Sequence, residues 1–167
     1  MKFQITAHDS SIFHEFHSIS FDSCFTQQET RVVEGPPFRD KWRRDDTFLK
    51  LIRSAEMRSL VVELTGESRF RLLFDTWIEN KPVSLQKAAF QGILIGLVVD
   101  VEGNVTLFSP LYENNALLYT GRLIVFGEVN SLYIYQPEDT ESHAYKQFGY
   151  AYGDRLKNEH FPVLTLQ

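Results

Sequence analysis

The chain has 167 residues and a formal net charge of −5, with 43% apolar, 23% charged and 14% aromatic residues. That balance suits one globular domain spanning residues 1–167 and excludes a disordered or low-complexity chain. Its single cysteine, Cys24, excludes an intrachain disulfide, and the acidic total argues against general nucleic-acid binding.

In chain order, "KFQIT" alternates with Phe3 and Ile5 on one side and predicts a first strand. It lacks the apolar core of a secretion signal, so a cytoplasmic protein is expected. Ile12, Phe16 and Ile19 fall at helical spacing, which predicts a short helix over residues 11–17, and "ISFDSCF" then alternates as a strand. Gly35, Pro36 and Pro37 interrupt regular structure. "DDTFLKLIRSAEMR" predicts a helix over residues 45–58, capped by Asp45 or Asp46, with Phe48, Leu49, Ile52, Ala55 and Met57 on its buried face. "SLVVELTG" reads as a strand ending at Gly66, and "RFRLLFDTWI" fits either a strand or a helix. "NKPVSLQKAAFQG" predicts a loop and then a helix capped by Ser84 and stopped at Gly92.

The second half reads as an antiparallel sheet. "ILIGLVVDV" and "VTLFS" flank Gly103-Asn104, a strong hairpin signal. "RLIVFG" and "SLYIYQ" predict a second hairpin around "EVN", "NALLYT" an additional strand, and "HFPVLTL" a closing strand. The run "GILIGLVV" is far shorter than the ~20 residues of a membrane helix. The expected class is therefore α+β: a largely antiparallel sheet, with a C-terminal meander of hairpins and two or three helices packed on one face.

Three groups of residues carry possible chemistry. "HEFH" places His14 and His17 three apart around Glu15, close enough on a helix to share a metal. It departs from the H-E-x-x-H pattern by one residue, and no third ligand is singled out among His8, Cys24, His143 and His160. A metal-dependent hydrolase using His14, Glu15 and His17 is the alternative functional reading. Cys24 lies mid-strand and is expected to be a structural thiol. No nucleotide-binding glycine fingerprint and no G-x-S-x-G is found, and no cofactor is expected.

"FRDKWRRDD" interleaves Phe38 and Trp42 with Arg39, Lys41, Arg43 and Arg44, a mixture able to stack on bases and track phosphates. Asp40, Asp45 and Asp46 can neutralise those cations, so a solvated, self-paired loop is the expected state. All seven tyrosines lie between Tyr112 and Tyr152. Alternation puts Tyr133 and Tyr135 on one strand face, with Leu132 and Ile134 on the core side, and pairs Tyr150 with Tyr152. Residues 101–167 hold eight acids against four bases, so the expectation is an acid-rimmed tyrosine face for a basic protein partner. The function expected from sequence is a non-catalytic, immunity- or adaptor-like interaction module. Its contact residues are Tyr133, Tyr135, Tyr150, Tyr152, Trp42, Arg43 and Arg44.

Overall fold

A computed structural model of the chain describes residues 5–7, 39–66, 68–83, 85, 88–100, 105–108, 117–134, 136, 137, 139 and 145–165. The chain runs from β1 (Ile5–Ala7) to a 3-10 turn (Lys41–Arg43), α1 (Asp46–Ile52), α2 (Ala55–Thr65) and β2 (Arg69–Lys81). It continues through β3 (Phe90–Gln91), β4 (Leu94–Val99), β5 (Val105–Phe108), β6 (Tyr119–Gly127), β7 (Leu132–Tyr133) and β8 (Val163–Thr165). Six strands form one sheet in the order β1-β5-β4-β6-β2-β8, and β3 pairs with β7 apart from it. Among the described strands every pairing is antiparallel except that of β1 with β5. The arrangement is roughly α+β, with few helices.

Local sequence explains the helical break. The Asp45 carboxylate accepts from the Phe48 N–H at 3.0 Å and starts α1. Ser54 takes extended backbone, and its hydroxyl accepts from the Met57 N–H at 3.2 Å, starting α2. One helix over 45–58 is thus replaced by two. The segment expected as the strand "SLVVELTG" belongs to α2, because Met57, Leu60 and Val61 form a buried helical stripe. Gly66, at φ 73°, ends α2 in the left-handed region that glycine adopts without a Cβ penalty.

β2 resolves as a strand of 13 residues. Its register against β6 slips between Leu72 and Phe74, so Leu73 is an extra residue and reverses the inside-outside phase. Phe70 and Leu72 pack toward the helices, whereas Leu73 and Phe74 both pack on the opposite face. Beyond the bulge, Asp75 pairs with Ile124 and Trp77 with Arg122, which places them on the helix-covered side.

Both faces of the sheet are covered. On one side Phe48, Ile52, Met57, Leu60 and Val61 pack against Phe70, Leu72, Leu97, Ile124 and Phe126. On the other, Phe90, Tyr133, Tyr145, Tyr150 and Phe161 pack against Phe74, Val98, Leu123 and Val125. β4 is buried along its whole length, which matches its unbroken apolar run.

The strands flanking "EGN" pair antiparallel as expected, with Val99 opposite Val105. The hairpin around "EVN" does not form, because β2 and β4 already occupy both edges of β6. The Glu128 carbonyl accepts from both the Ser131 N–H and its hydroxyl, and the turned chain pairs Tyr133 with Phe90 instead. The helix expected after Ser84 is also absent among the described residues. Ala88, Ala89 and Phe90 are all buried, which leaves no solvent-facing stripe there. The closing strand is β8, paired to β2. The expected helix over 11–17 and the strand "ISFDSCF" lie outside the described residues.

Candidate functional site

The densest polar chemistry lies where residues 39–44 run as a strap beside β2, bridging its edge opposite β6. An isolated bridge joins Arg39 to Thr76, and the Asp40 N–H donates to the Asp75 carbonyl at 2.7 Å. The Asp75 carboxylate accepts from the Lys41 and Trp42 backbone N–H groups, each at 3.1 Å. The bulge in β2 delivers that carboxylate to the strap. Arg122 of β6 completes the hub, Nη1 to Oδ1 at 3.2 Å, with both side chains at 0% exposure. Burial pushes the Asp75 carboxyl up to about 7, and Asp40 adds to this; Arg122 and the two N–H donors pull the other way. The Arg122 guanidinium sits 5.8 Å from the ring centres of both Phe48 and Trp77.

The strap's own arginines reach the opposite layer. Arg39 forms a two-pronged pair with Asp139 and donates from Nε to the Tyr145 hydroxyl at 3.0 Å. Its guanidinium carbon lies 4.2 Å from the Phe74 ring centre. Burial opposes the Arg39 charge, but Tyr145, Asp139 and Asp40 outweigh it and hold its pKa above the ordinary value. Burial likewise pushes the Tyr145 phenol well above 10. Arg43 pairs with Asp40 at 2.9 Å and donates to the His160 carbonyl at 2.6 Å. It stacks 4.2 Å from the Trp42 ring centre and lies 5.0 Å from those of Phe148 and Phe161.

This corrects the expectation of a solvated loop. Arg39, Asp40, Lys41 and Trp42 are buried, and only Arg44 of the strap is exposed. The self-pairing holds for Arg43 with Asp40 and Lys41 with Asp45, while Arg39 pairs outside the segment. Trp42 is packed into the fold and Arg43 is half-buried against it, so neither stands out as an exposed contact residue.

The tyrosine face is corrected too. Tyr133 is 3% and Tyr150 8% exposed, against 71% for Tyr152. Tyr133 stacks on Tyr150 at 5.7 Å, with the half-buried Leu132 beside it. The inversion arises because the β3–β7 pair lies over the large sheet, so its inward side carries the ring of Tyr133. The Tyr150 hydroxyl accepts from the Lys157 N–H at 2.8 Å and meets His160 Nδ1 at 3.0 Å. Tyr135, His14, Glu15, His17 and Cys24 lie outside the described residues. Among the described residues no three His, Cys, Asp or Glu side chains are placed to hold a metal, and no helix is long and apolar enough to cross a membrane.

Sequence reasoning missed Asp75, Arg122 and the Arg39–Asp139 pair. A signal existed for the first two: each is a lone charge inside an apolar strand run, "LLFDTWI" and "GRLIVF". Buried charges of opposite sign seek each other. Comparison of the chain with protein-family models, curated proteins and solved structures finds no match.

Proposed function

We propose that this chain is a non-catalytic protein-interaction module with a basic partner, in the manner of an immunity or adaptor protein acting in the cytoplasm. The observation that supports it is Tyr152, exposed on a turn whose backbone is fixed by hydrogen bonds. The Ala151 N–H donates to Asp154 Oδ2 at 2.7 Å and the Tyr133 N–H to the Asp154 carbonyl at 2.9 Å. The Gly153 N–H donates to the Tyr133 carbonyl at 2.7 Å. A preset turn presents a large amphipathic ring with little ordering cost on association. Asp154 and Glu159 stand exposed on the same C-terminal segment, interleaved with the exposed Arg155 and Lys157; the preference for a partner of positive charge rests on residues 101–167 as a whole, which hold twice as many acids as bases.

Position-specific photo-crosslinking tests this reading. A photoreactive phenylalanine at position 152 should capture a basic partner from native lysate, and added salt should reduce the yield. The same group at Glu56, exposed on α2, serves as the control. Equal capture at both positions, or capture only of acidic species, defeats the proposal.

A further inference from the structure

We draw no further inference here: the strongest candidate, the surface patch along the ribbon of β3, β7 and residues 153–155, where Leu132 and Ile134 are half-buried and Ile93 and Tyr152 exposed, carries none because nothing in the structure shows what covers it.

Discussion

Arg122→Met should destabilise the fold strongly and in a pH-dependent way. The substitution keeps most of the side-chain volume between Phe48 and Trp77 but strands the Asp75 carboxylate, whose side chain has no exposure. Removing one member of a buried ion pair costs about 3–5 kcal/mol, because the remaining charge is neither solvated nor neutralised. Asp75 retains two backbone N–H bonds at 3.1 Å, so a loss near the lower end, about 3 kcal/mol, is expected. That is a large share of the roughly 5–15 kcal/mol that holds a domain together.

The pH dependence follows from the Asp75 carboxyl, which burial already holds at about 7 against an ordinary 3.8. The folded state binds a proton there at pH values where the unfolded chain has lost it. Stability from this group therefore rises as pH falls through about 7 and levels off near 4. Loss of Arg122 removes the largest opposing influence and pushes the carboxyl higher still. The deficit of Arg122→Met should be greatest at pH 8 and shrink by pH 5. Urea unfolding followed by tryptophan fluorescence measures it, with Asp75→Asn and the double variant closing a thermodynamic cycle. A loss under about 1 kcal/mol at pH 8, the range of an exposed pair, or an equal loss at both pH values, refutes the reasoning.

Gly121→Ala would set a Cβ 2.3 Å from the Val99 carbonyl oxygen, a backbone atom in a buried strand. Urea midpoints should report a loss of roughly 1–3 kcal/mol, and an unchanged midpoint would mean that the two strands separate easily. Ser54→Ala removes the cap that starts α2 and should cost about 1 kcal/mol by thermal unfolding. Tyr145→Phe deletes the acceptor of Arg39 Nε and should lower stability by about 1–3 kcal/mol, the cost of an unmet buried donor. Tyr152→Ala, by contrast, should leave stability within about 0.5 kcal/mol while reducing partner capture, and a large stability change would place that ring in the fold.

Apolar stripes and the places where the chain turns could be read from residue order. The antiparallel pairing of β4 with β5, the capped start of α1 at Asp45 and the closing strand β8 all follow from such local chemistry. Which face each stripe meets depended on packing between distant segments. Alternation puts Leu132 and Tyr133 on opposite sides but does not say which side is covered, and the packing of the β3–β7 pair over the main sheet chose Tyr133. "SLVVELTG" suits either period, and its junction with Ser54 made it helical. The extra residue in β2 turned Asp75 toward the helices and the strap. Charges hidden on distant strands met there because the sheet brought Arg122 alongside Trp77, an alignment fixed by pairing between segments over forty residues apart.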